Sequence, residues 1–164
     1  DCAACTGPGG VEAQVAHVKL NYRVACTQPV TVSIVGAVAG ACPTPDLTNV
    51  ILPPIAANLA APAAGNYDFS VALPPGICIN GNAFLVVNFV SNGTGCATST
   101  TRPRLITTGT CNPCTSYNIY TGGNDDLCTV GLPGNPCMNL EVICCSVVPT
   151  QHRSWGSLKV RYGN

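Results

Sequence analysis

At 164 residues the chain has the length of one ordinary domain, enough to bury a core and too little for a second full one. Seven basic and seven acidic side chains cancel, where an average domain of this length carries roughly 41 charges; the basic surface that nucleic acid or an anionic membrane would need is absent. No apolar run reaches the ~18–20 residues of a membrane-spanning helix, so membrane insertion is not expected.

The N-terminal part holds the first unusual feature. Residues 11–26 contain no Pro or Gly, and extended they would reach roughly 53 Å, against ~17–20 Å for a common strand. Val11, Ala13 and Val15 put the apolar side on odd positions, whereas Val18, Leu20, Tyr22 and Val24 put it on even ones. A one-residue shift exchanges the two faces of a strand, so the phase change predicts two segments joined by a bulge or crossing near Ala16 and His17. The excess length suggests an arm over residues 1–26, part of it donated to a neighbouring subunit, followed by a sandwich over residues 27–164. The plainer alternative is one strand bent by a bulge within its own domain.

Further along, the period of two continues. Val30, Val32, Ile34 and Val38 alternate with Thr31 and Ser33, and Tyr67, Phe69, Val71 and Leu73 alternate with Asp68 and Ser70. Between them, residues 55–61 (IAANLAA) have the composition of a short helix closed by Pro53, Pro54 and Pro62. Residues 83–90 (AFLVVNFV) are apolar on both faces, as in a central strand covered on both sides. Shorter strands are expected near residues 105–108 and 116–120. Met138, Leu140, Val142 and Cys144 form another face, and Leu158, Val160 and Tyr162 alternate with Lys159 and Arg161. Turns fall at Pro75-Gly76, Asn80-Gly81, Asn92-Gly93, Gly122-Gly123 and Pro133-Gly134. About eight strands so spaced predict an all-β, disulfide-rich β-sandwich, with a jelly roll as the expected arrangement and an extended N-terminal strand.

Cysteine is abundant, and its count is even: Cys2, Cys5, Cys26, Cys42, Cys78, Cys96, Cys111, Cys114, Cys128, Cys137, Cys144 and Cys145. Such density belongs to oxidising compartments. With neither an initiator Met nor an apolar leader before Asp1, a mature, secreted, extracellular or cell-surface protein is expected. The Cys2-x-x-Cys5 and Cys111-x-x-Cys114 spacings suit a redox pair or half a zinc site, but a redox pair should open a helix in an α/β pattern, and none is present. All twelve are therefore read as structural disulfides. Adjacent Cys144 and Cys145 face opposite sides of a strand and should take different partners. Cys128 and Cys137 bracket a turn-rich stretch and make a reasonable local pair.

Catalytic signatures are missing. Of the two histidines, His17 falls on a polar strand face and His152 in a loop, both as solvated residues. There is no G-x-S-x-G, H-E-x-x-H or Gly-rich phosphate loop, so no enzyme and no cofactor is expected. Asp125 and Asp126 with Asn124 have oxygen ligands suited to Ca²⁺, with a solvated turn as the simpler reading. Tyr117, Tyr120 and Trp155 are the candidates for a sugar-binding platform, with Trp155 as readily a core plug. Asn92-Gly93-Thr94 is a glycosylation sequon, and the Ser/Thr run at residues 98–101 is a candidate for O-linked sugar.

The motifs Phe84-Leu85-Val86-Val87, Arg104-Leu105-Ile106, Cys111-Asn112-Pro113-Cys114-Thr115-Ser116-Tyr117-Asn118, Asp126-Leu127, Pro133-Gly134-Asn135, Cys144-Cys145 and Ser154-Trp155-Gly156-Ser157-Leu158-Lys159 give about half of the chain, near residues 84–162, a resemblance. They resemble a C-terminal cysteine-rich β module of uncharacterised secreted proteins from environmental bacteria. The resemblance implies a bacterial, extracellular setting and no activity. Taken together, these readings favour a structural subunit of an extracellular filament or pilus-like fibre, a head-to-tail homopolymer using Val11, Ala13, Val15, Val18, Leu20, Tyr22 and Val24 as its assembly strand. The alternative is a monomeric carbohydrate-binding or adhesive sandwich module that recognises glycans.

Overall fold

The computed structural model describes residues 10–89, 95–96 and 98–145. Cys2, Cys5, Asn92, His152, Trp155 and the strand expected through Leu158, Val160 and Tyr162 lie outside the described residues.

The alternation of apolar and polar residues becomes two facing sheets. One has β1 (Val11–Tyr22) in its middle, with β12 (Met138–Cys144) on one side and β4 (Gly65–Ala72) on the other. Two short strands complete the edges of β1: β5 (Cys78–Ile79) pairs with Val11 and Glu12, and β7 (Arg104–Leu105) with Leu20 and Asn21. The other sheet has β2 (Cys26–Val38) between β3 (Thr44–Ala61) and β6 (Ala83–Phe89). All pairings are antiparallel. Residues 107–136 form a lobe with two small ladders: β8 (Thr107–Thr108) pairs with β11 (Asn135–Pro136), and β9 (Tyr117–Tyr120) with β10 (Gly123–Asp126). The chain is thus an all-β, disulfide-rich sandwich.

The core lies between the sheets. From β1 come Ala13, Ala16, Val18, Leu20 and Tyr22; from β2, Val30, Val32 and Ile34; from β3, Leu52, Leu59 and Ala61. Tyr22 packs edge-on to Tyr67 and Phe69, 5.8 Å from each, and its hydroxyl donates to the Leu59 carbonyl at 2.6 Å. That bond carries the one polar atom of the ring into the opposite sheet without leaving it unsatisfied.

Several expectations need correction. Residues 55–61 are strand, part of β3, paired from Ile55 with Val32 to Ala61 with Cys26. The same seven letters also have a period of two, with Leu59 and Ala61 inward and Asn58 and Ala60 outward, and pairing with β2 overrides the helical preference of Ala. Residues 83–90 were expected at a sheet centre; β6 is an edge strand. Its two apolar faces have another cause, since Ala83, Leu85 and Val87 pack on the core while Phe84 meets Tyr117 of the lobe at 5.6 Å. Val38 is exposed rather than buried, because β6 stops pairing with β2 at Gly36.

The N-terminal segment also differs. A bulge is present, but on the β12 side between Ala13 and Val15, two or three residues earlier than the sequence suggested. The unbroken run of residues 11–26 is in fact two strands, because residues 23–25 bend from one sheet to the other. β1 is the middle of a sheet, paired on both edges within this chain.

Bridges fix the rest. Cys26–Cys96 anchors the start of β2, Cys42–Cys114 ties the β2–β3 connection to the lobe, Cys78–Cys145 joins β5 to the end of β12, and Cys111–Cys128 closes the lobe. Cys128 thus takes Cys111 and not Cys137, whose half-buried thiol is free. Cys137 is held away from Cys128 by its backbone, which pairs with Ile106 beside β1. Cys144 is also disulfide-bonded.

Candidate functional site

The most developed constellation is the seat of β1. Its inward residues plug the sandwich, and its outward residues form a polar row read by both neighbours. His17 stands in the middle: its Nε2 lies 2.8 Å from Glu141 Oε1 on β12, and its Nδ1 lies 3.3 Å from Ser70 Oγ and 3.5 Å from Asp68 Oδ1 on β4. Lys19 Nζ reaches Asp68 Oδ2 at 3.1 Å, and Asn21 donates to Asn66 Oδ1 at 2.6 Å. At the other end of the strand Glu12 Oε1 accepts from the Gly76 amide at 2.8 Å. Every ion pair mapped with both partners among the described residues lies in this row.

His17 is therefore not the plainly solvated residue the sequence suggested. The signal was in the register: antiparallel pairing sets His17 beside Ser70 and Asn139, and residues two apart on the same face, Asp68 and Glu141, come within reach. Ser, His and a carboxylate in one line resemble a nucleophile relay, but the row lies on an open sheet face with Ser70, Asp68 and Glu141 exposed.

The start of the seat is set by Gly10. It has φ +71°, and a Cβ there would collide with the Ile79 carbonyl and the Asn80 side chain. Only glycine allows the chain to enter β1 so close to β5.

The other candidates separate. Tyr117 and Tyr120 are three apart on β9, so they face opposite sides and make no common platform. Tyr117 faces a groove of about 410 Å³ lined by Pro43, Pro45, Phe84, Ile119 and Met138 among others. Its hydroxyl donates to the Pro43 carbonyl at 2.9 Å, and burial, with Asp126 nearby, pushes the phenol up from its ordinary pKa. Tyr120 is exposed and bonds Asp125 at 3.3 Å; that carboxylate pushes its phenol up.

Asp126 serves the lobe itself. Its carboxylate accepts the amides of Cys114 at 2.6 Å and Cys128 at 2.9 Å. The first holds Cys114 at φ 66°, a conformation that non-glycine residues seldom adopt. Asp125 and Asp126 point to opposite faces of β10, and each is engaged with different residues. Cys42, Cys114 and Asp126 come close together, but the two sulfurs are bonded to one another, so they offer no thiolate to a metal. The Cys111-x-x-Cys114 pair is likewise split between Cys128 and Cys42. No family model matches the chain, and no curated protein or solved structure matches it either.

Proposed function

We propose that the chain is a structural subunit of an extracellular filament or pilus-like fibre, assembled head-to-tail by exchange of β1 between copies. The observation that carries this reading is the hinge. Residues 23–25 (Arg-Val-Ala) bend the chain from β1 into β2, yet none of the three is a turn-former and the sequence there reads as continuous strand. Local preference thus favours a straight hinge, and only packing within one subunit bends it. A straight hinge carries β1 away from its own body and into the next.

Energetics require that every vacated seat be refilled. Val18, Leu20 and Tyr22 are almost fully buried, and burial of such side chains contributes about 1.5–3 kcal/mol each. Their sum approaches the ~5–15 kcal/mol stability of a whole domain. A body that has released β1 is therefore unstable until another β1 fills the seat. The body can survive the interval, because the four bridges mapped among the described residues join positions from Cys26 to Cys145 and none has an end in β1. Each copy gives a strand to one neighbour and takes one from another, and head-to-tail contacts run on as a filament when the rotation between copies does not close a ring. The near absence of charge removes long-range repulsion between copies. The density of bridges supports an extracellular setting.

Asn21 and Asn66 face one another across β1 and β4. Mixing N21C chains with N66C chains under assembly conditions should give a reduction-sensitive cross-link between subunits. Cross-links confined to the N21C/N66C double variant, within single chains, would sink the exchange. The second reading, a monomeric glycan-binding or adhesive module, is favoured only by the groove beside Phe84 and Tyr117; glycan titration of the monomer, with Phe84 and Tyr117 signals followed by NMR, tests it.

A further inference from the structure

Resting on the exchange reading, we infer that the polar row of β1 is a recognition code, by which the seat accepts the first strand of another copy of this chain in one register only. The inward face supplies part of that choice: a two-residue slip keeps apolar side chains inward but takes Tyr22 off the Leu59 carbonyl. The outward face adds to it, because the same slip breaks its pairs. In one direction Asn21 comes opposite Asp68 in place of Lys19; in the other Val15 takes the place of His17 between Ser70 and Glu141.

The polar groups are also complementary. The strand brings the Lys19 ammonium and the two ring nitrogens of His17, and the seat offers Asp68 from β4 and Glu141 from β12. A chain with so few charges gathers its mapped ion pairs onto this one row, across the two ladders that β1 would have to leave and re-enter. Exposed pairs of this kind add little stability, but a like-charge meeting at the same position rejects a wrong partner. The partner so selected is a second copy of this chain.

Charge reversal tests the code with the N21C/N66C cross-link as readout. K19E chains set Glu against Asp68 and D68K chains set Lys against Lys19, so each opposes itself at this position. Mixed, each strand meets a seat of opposite sign. We expect the K19E strand to cross-link to the D68K seat about tenfold more than to the unchanged seat, by the discrimination that unpaired or like charges impose. The K19E/D68K double variant, whose own strand and seat match again, should assemble alone and serves as the folding control. Equal cross-linking of the K19E strand to both seats overturns the code while leaving exchange intact. Absence of any cross-link between subunits with the row unchanged overturns exchange and this inference with it.

Discussion

Tyr22 concentrates three duties in one residue: it fills the end of the core, leans on Tyr67 and Phe69, and bonds across the sandwich to the Leu59 carbonyl. Burial pushes its phenol up to about 12. The sign follows directly. Below pH 10 the phenol is protonated in both folded and unfolded chains, and between about 10 and 12 only the unfolded chain ionises, so stability falls across that window. Y22F should remove much of this alkaline loss, and at neutral pH it should cost about 1–3 kcal/mol because the Leu59 carbonyl is left unpaired in the interior. Denaturant unfolding at several pH values, with tyrosinate absorbance followed in parallel, checks both; an unchanged alkaline slope would count against the assignment. Gly10 gives a second residue-scale prediction. G10A demands a Cβ where Ile79 and Asn80 already lie and a φ that Ala resists, so it should destabilise by more than the ~1 kcal/mol of an ordinary Gly-to-Ala effect, with loss of amide protection at Val11 and Glu12 as its local mark.

Among the elements, the bridges divide labour by the length of chain they close. Cys26–Cys96 spans 70 residues and Cys111–Cys128 spans 17. Replacing Cys26 and Cys96 together by Ala should cost roughly 4 kcal/mol, and replacing Cys111 and Cys128 roughly 3 kcal/mol, by the loop-closure account; a reversed order in denaturant unfolding would show that native packing outweighs chain entropy here. The strands themselves were legible because burial on one face writes itself into every second residue, as in Val18, Leu20 and Tyr22 or Tyr67, Phe69 and Val71. What the letters could not reveal was adjacency. Nothing in AFLVVNF distinguishes a central strand from an edge strand whose back is covered by Tyr117, and nothing in IAANLAA announces that β2 will recruit it. The partners of Cys128 and the carboxylates beside His17 were hidden for the same reason, since both depend on which strands lie side by side and in what register. The bend at residues 23–25 was illegible because it is not encoded locally at all.

At the scale of the whole molecule, the two sheets differ in how they are restrained. The β3-β2-β6 sheet is anchored at Cys26 and, through the β2–β3 connection, at Cys42, and the other sheet at Cys78–Cys145 and at Cys144, with no mapped bridge ending within β1 itself. Native-state hydrogen exchange should therefore find an opening of β1, with its partners on β4 and β12, at lower free energy than the opening of β2. Identical protection in both sheets, lost together, would mean that β1 leaves only when everything unfolds. The open edge strands also differ: β6 is free of Pro and charge, while β3 carries Pro53 and Pro54 together with shifts in its pairing to β2. Because neither proline has an amide hydrogen to offer, the outer margin of β3 is broken at these positions as a template for a strand of another chain.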